Sequence, residues 1–234
     1  MNIDIITLFP KMFSGPFEES IVQRAQDKKL VQITIYDLRN WALDKRGTVD
    51  DKPYGGGTGM LLRPEPIFDV VKDIKSKSPT SHFVKGRTLN TRVVLLDAGG
   101  ELYNQKKAAE YSKLDQLILI CGHYEGVDYR VHEHLADEII SIGNFVLTGG
   151  EIPAMLIADS VTRLIPGVLE KEEATTIESF SDEMTLEYPQ YTRPEIYQGH
   201  KVPEILLSGD HAKIDNWRKE ESIKRTEVNR SDLA

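Results

Sequence analysis

A single cysteine, Cys121, is all that this 234-residue chain contains, so no disulfide can form within it and a hydrophobic core must carry the fold. No apolar run approaches the roughly 20 residues that span a bilayer, and the opening Met-Asn-Ile-Asp lacks the basic start of an export signal. A soluble cytoplasmic protein with no membrane partner is expected. Excess positive charge is missing too: 29 Lys and Arg face 37 Asp and Glu, a net charge of −8. Proteins that grip nucleic acid through its phosphates usually carry a basic surface, so any such site here must be local. The common nucleotide signatures are also absent. There is neither a Gly-x-Gly-x-x-Gly after a strand nor a Gly-x-x-x-x-Gly-Lys-Ser/Thr loop, which argues against a dinucleotide enzyme or an NTPase.

What is present is alternation. Four apolar runs rich in β-type residues, Ile3 to Leu8, Val31 to Tyr36, Arg92 to Leu96 and Gln116 to Cys121, are separated by segments of helical spacing. That order predicts an α/β fold with a parallel sheet. Phe13, Phe17, Ile21, Val22 and Ala25 recur at three- and four-residue steps, as do Ile67, Val70, Val71 and Ile74 after Pro66. A third helix runs from Ile152 to Leu164 and is stopped by Pro166-Gly167. The first domain is placed at residues 1–168. Residues 169–180, charged and hydroxyl-rich, read as a mobile linker. Residues 181–234 read as a small helical domain, with a short helix near Val202 to Leu207 and a longer one capped by Asp210 and reaching about Arg225.

Two glycine-rich stretches follow buried-strand patterns. Cys121-Gly-His-Tyr-Glu-Gly126 follows Leu117 to Ile120, and Ile142-Gly-Asn-Phe-Val-Leu-Thr-Gly-Gly-Glu151 runs into the third helix. Glycine admits a ligand against backbone, and open α/β sheets bind at the carboxyl ends of their strands, so the two stretches predict one pocket. Tyr54-Gly-Gly-Gly-Thr-Gly-Met60 lies between prolines and reads as a cover loop. His132-Glu133-His134 places its histidines two apart where a helical zinc pair needs four; they read as surface residues, and no metal site is expected from them. Between Lys213 and Arg230, six basic residues face four acidic ones, a modest local excess. Arg163 ends an otherwise apolar helix. It can cap the last carbonyls or point into a pocket to hold a developing negative charge.

In order, and across nearly the whole chain, Ile6-Thr-Leu-Phe-Pro10, Thr48 to Met60, Cys121 to Asp128, Ser141 to Met155, Arg163 to Leu169, Tyr191-Thr-Arg-Pro194 and Leu207 to Ala212 resemble the bacterial tRNA (guanine-N1)-methyltransferase family of the knotted SPOUT class. The resemblance implies a deep trefoil knot in the parallel sheet domain and a C-terminal helical domain that binds tRNA. It implies S-adenosyl-L-methionine held by Leu95, Gly122 and the backbone of Ile142, Gly143, Asn144, Phe145, Val146 and Leu147, with Gly149 and Gly150 beside it. Thr58, Gly59, Glu125 and Asp128 would hold the substrate guanine. Magnesium dependence and a homodimer with active sites shared between subunits are implied too. Methylating guanine N1 requires removal of its proton while charge spreads toward O6, hence a base and a cation. Glu178 stands where the family has an aspartate base, and Arg163 matches the arginine; Glu172 and Glu173 are the substitutes if Glu178 does not serve. Thr58 replaces a usual proline, and Asp97-Ala98 a usual Ser-Pro. The alternatives are a ribose 2′-O-methyltransferase acting on RNA and a non-catalytic RNA-binding relative.

Overall fold

The computed structural model describes residues 1–77, 83–84, 87–171, 175–182 and 184–233. Glu172 and Glu173 lie outside them, as does part of the segment 169–180. Two compact units result, Met1–Glu170 and Lys171–Ala234.

In the first unit five strands make one sheet: β1 (Asn2–Thr7), β2 (Gln32–Asp37), β3 (Thr91–Leu102), β4 (Gln116–Cys121) and β5 (Glu138–Ser141). Their order is β2-β1-β4-β3-β5 and every pairing is parallel. The four apolar runs are thus strands, and the α/β expectation holds. Central β4 is buried at all six residues, as a strand covered on both faces must be. Alternation sends Leu117, Leu119 and Cys121 to one face, and Ile118 and Ile120 to the other.

Helices cover both faces. On the first lie α1 (Ser20–Asp27) with Val22 and Ala25, Tyr111 at the end of α3 (Gln105–Tyr111), and α5 (Glu151–Thr162) through Ala154, Ile157, Ala158 and Val161. On the second lie α2 (Pro64–Lys77), through Ile67, Val70, Val71 and Ile74, and α4 (Tyr129–His134), through Val131. Helix α2 begins two residues before Pro66, with Pro64 in the first turn, where a missing N–H costs nothing. The segment around Phe13 and Phe17 divides into a 3₁₀ turn, Pro10–Phe13, and α1. Among the described residues, no helix is long and apolar enough to cross a membrane.

Strand β5 was not among the four runs. It is four residues long and begins with Glu138, whose carboxylate accepts hydrogen bonds from Arg92 (2.6 Å), Lys107 (3.1 Å) and Tyr111 (2.9 Å). Its pairing with β3 is interrupted, because Ile140 lies opposite both Leu96 and Glu101. Residues 97–100 therefore bulge from the ladder at the carboxyl end of the sheet. Gly100 must lack a side chain there, since a Cβ would lie 2.5 Å from the Ile139 carbonyl carbon.

The second unit contains a two-stranded antiparallel pair, Ile196–Tyr197 with His200–Lys201, and the helices α6 (Glu204–Leu207) and α7 (His211–Asn229). Asp210 caps α7 by accepting the Lys213 N–H at 3.2 Å. The helix runs four residues beyond Arg225. Leu186 N–H donates to Thr226 Oγ1 at 2.9 Å and Arg225 donates to the Glu187 carbonyl at 2.9 Å, so the chain before the hairpin is strapped along α7.

Candidate active site

A cavity of about 200 Å³ opens at the bulge of β3 and the ends of β4 and β5. Its walls are the bulge (Leu96, Asp97, Ala98), the loop after β4 (Gly122 to Gly126) and the loop after β5 (Ile142 to Gly150). Both glycine-rich stretches of the sequence thus meet in one pocket. They are joined directly, since Gly150 N–H donates to the Gly122 carbonyl at 2.8 Å and His123 bridges Gly149. A Cβ on Gly150 would lie 2.7 Å from Cys121 Cα and 3.0 Å from Gly122 N. One on Gly149 would lie 2.5 Å from His123 Nδ1. The loops close only because side chains are missing at these two positions.

Gly122, Ile142, Gly143, Phe145, Val146, Leu147, Gly149 and Gly150 all line the cavity. Asn144 is exposed and does not. Leu95 is fully buried in the core beneath, on the α2 side of the sheet, and its neighbour Leu96 meets the pocket instead, as strand alternation dictates. Ser141, Thr148 and Pro153 also line it. Thr148 lies inside the second glycine-rich stretch, and Ser141 and Pro153 flank it.

Under the floor, Glu151 opens α5 at 2% exposure. Its Oε1 accepts the Thr7 hydroxyl at 2.8 Å, its Oε2 is 3.9 Å from His123 Nδ1, and the helix N-terminus favours its charge. Burial first, then the neighbouring Glu151 charge, push the Cys121 thiol well above its ordinary range, so it has the character of a core residue and not of a nucleophile.

Glu125 lines the pocket, and Gly59 of the cover loop closes on it: a Cβ there would lie 2.3 Å from Glu125 Cγ. The contact is reinforced by Glu125 N–H donating to Met60 O at 3.1 Å and Leu62 N–H to Gly126 O at 3.0 Å. Thr58 is exposed in the same loop. Asp128 caps α4 and binds Arg130 through two bonds of 2.8 Å; those bonds hold its carboxyl below the usual range. It faces an adjoining groove with Tyr54, Arg63 and Arg130. His132, expected on a solvated face, is a correction. Its side chain is only 10% exposed, turned inward against the Tyr129 ring, while His134 alone faces solvent at 66%.

Arg163 is the C-cap of α5, its N–H bonded to Asp159 O at 3.1 Å, and does not line the pocket. Twelve helical residues, about 18 Å, separate it from the glycines at the other end. Glu178 lies in the second unit, in the wall of a cavity of about 470 Å³ with Tyr188 and Arg218. The turn that carries it is fixed by Phe180 N–H to Thr185 O (2.7 Å) and Glu187 N–H to Ser179 Oγ (2.9 Å).

Comparison with known proteins completes the picture. The sequence model of the family described as tRNA (Guanine-1)-methyltransferase TrmD matches residues 1–234. The tRNA (guanine-N(1)-)-methyltransferase of Bacillus subtilis (strain 168) is 53% identical over 233 residues, covering 100% of this chain and 92% of that protein. Its counterpart in Geobacillus kaustophilus (strain HTA426) is 53% identical, covering 100% and 91%. That of Dehalococcoides mccartyi (strain CBDB1) is 51% identical, covering 100% and 90%. A match that runs from the first strand through α7 and includes both pocket loops makes this chain a member of the tRNA (guanine-1)-methyltransferase TrmD family of enzymes.

Proposed function

We propose that the protein methylates N1 of the guanosine at tRNA position 37, next to the anticodon, with S-adenosyl-L-methionine as donor. The observation that carries the reading is the closed seam between Gly150 and Gly122, which presents backbone beside the bulge of β3 and the ends of β4 and β5. A donor with an adenosine part and an amino-acid tail suits such a wall, which offers peptide N–H and C=O groups and small clearances. When bound, it supplies an electrophilic methyl group.

The chain's own residues divide the remaining work. Glu125, with Gly59 and Thr58 of the cover loop and Asp128 behind them, holds the guanine edge, whose N1–H and amino group seek acceptors. Glu178 takes the N1 proton, and Arg163 holds the negative charge that develops toward O6. The extra methylene of Glu178 relative to aspartate is taken up by the turn of the linker in which it lies. Residues 1–168 form the donor domain, with the chain after β5 threaded as a knot. The return of Gly150 to Gly122, across the end of a strand formed earlier in the chain, supports that threading. Residues 181–234 bind the tRNA.

Two features support a homodimer with shared sites. Arg163 stands a helix length from the pocket of its own chain. Two apolar side chains of α5 are also exposed, Ile152 at 51% and Leu156 at 44%, and Val146 in the loop before the helix is 87% exposed. Such a surface belongs under a partner. Incubation with labelled S-adenosylmethionine and tRNA bearing guanosine at position 37, followed by nucleoside analysis, should yield 1-methylguanosine. A 2′-O-methylated nucleoside, or no transfer, would refute the proposal.

A further inference from the structure

The charged residues around the cavity are all of one sign. Asp97 and Glu125 line it, and among the described residues no Lys or Arg does. We propose that Asp97 is a donor-selecting residue, whose charge favours the cationic methyl donor over the product left after transfer. This deepens the reading of the cavity as the donor site and rests on it.

Asp97 opens the bulge of β3, and its Oδ1 accepts the Gly99 N–H at 2.7 Å, which fixes the carboxylate at the pocket edge. Its other oxygen faces His132 Nε2 at 3.9 Å, beyond hydrogen-bond reach. Both nitrogens of that imidazole are buried without a hydrogen-bond partner among the described residues. Among the described residues no Lys or Arg pairs with Asp97. The charge therefore acts on the contents of the cavity. Donor and product differ there by one unit: the donor's sulfur is a sulfonium, and loss of the methyl group leaves a neutral thioether. Adenosine, amine and carboxylate are common to both. A fixed carboxylate beside the pocket thus lowers the free energy of the donor complex and leaves that of the product complex nearly unchanged, which helps the product to leave.

Calorimetric titration of the whole protein with S-adenosylmethionine and with S-adenosylhomocysteine tests this without any turnover. Asp97→Asn and Asp97→Ser both keep an oxygen for the Gly99 N–H and remove the charge. Each should weaken S-adenosylmethionine about fivefold, while S-adenosylhomocysteine stays within about twofold, the scale of one unit charge across a small solvated pocket. In roughly 1 M salt the wild-type preference should shrink. A parallel loss for both ligands in both variants would mean that Asp97 acts through packing, and unchanged binding of both would mean that it does not act; either result overturns the proposal. Wild-type protein that binds neither ligand would instead overturn the donor-site reading, and this inference with it.

Discussion

Replacing Gly150 by alanine tests whether backbone contact is what closes the pocket. Gly150 has φ −81°, so alanine brings no conformational strain and only space is at issue. The new methyl would lie 2.7 Å from Cys121 Cα, 3.0 Å from Gly122 N and 3.1 Å from Cys121 Cβ. Carbon atoms prefer about 3.5–4.0 Å, so the loop must retreat by about 1 Å. The opposing atoms belong to the end of β4, buried at every residue, and cannot yield cheaply. Overpacking of this kind costs about 1–3 kcal/mol. The same retreat stretches the 2.8 Å bond from Gly150 to Gly122, and misplacement by about 1 Å can cost about 100-fold in rate. Gly122→Ala is the control. Its methyl would find neighbours at 3.4 and 3.5 Å, ordinary contact, and stability should change by about 0.5 kcal/mol or less. Urea unfolding can be followed through Trp41, which is held in the first unit by a 2.9 Å bond to Asp73, in a Trp217→Phe background. If Gly150→Ala unfolds at the same urea concentration as Gly122→Ala and binds S-adenosylmethionine like wild type, the steric reasoning is refuted.

Glu178→Gln should lower single-turnover methylation by about 100-fold or more and leave donor affinity unchanged; a near-wild-type rate would remove Glu178 from the role of base. Ile152→Glu puts a charge on the exposed apolar side of α5, and sedimentation velocity should show a folded monomer without methylation activity. An intact dimer would place the interface elsewhere. Burial pushes the Asp4 carboxyl above its usual 3.8, against the opposing hydrogen bonds from Gln116 and Tyr36, so in mildly acidic solution the folded chain keeps a proton that the unfolded chain has released. That contribution to stability declines as pH rises from 3.8 through the folded value and is level above it. The urea midpoint of wild type relative to that of Asp4→Asn should therefore fall as pH rises over this range, and a difference that stays level or grows would contradict it.

The parts of the fold that were legible are those where one physical preference acts alone. β1 and β4 announce themselves because strands buried on two faces need unbroken apolar runs, whereas β2, a half-buried edge strand, shows itself through Ile33 and Ile35 alternating with polar neighbours. β5 escaped because it is short and begins with a carboxylate satisfied by Arg92, Lys107 and Tyr111, partners far away in the chain. The bulge escaped for the opposite reason: Asp97-Ala-Gly-Gly100 reads as the end of a strand, yet the ladder resumes at Glu101. The meeting of the two glycine stretches was foreseeable from their positions after strands. The closure of Gly59 on Glu125 was not, since it joins loops more than sixty residues apart. His132 was misread because a sequence neighbourhood of charges says nothing about which way a ring turns in a one-and-a-half-turn helix.

The looped-out segment between Leu96 and Glu101 also bears on how such a protein can change over generations. Because Ile140 pairs on either side of it, residues 97 to 99 contribute nothing to the ladder and can be exchanged without repricing the sheet, while Gly100, pressed on the Ile139 and Ile140 backbone, stays fixed as the hinge of the insertion. The rim of the pocket is in this sense a separable cassette. Descent can retune what it admits one residue at a time, and an engineer wishing to accept altered donors would start at these three positions.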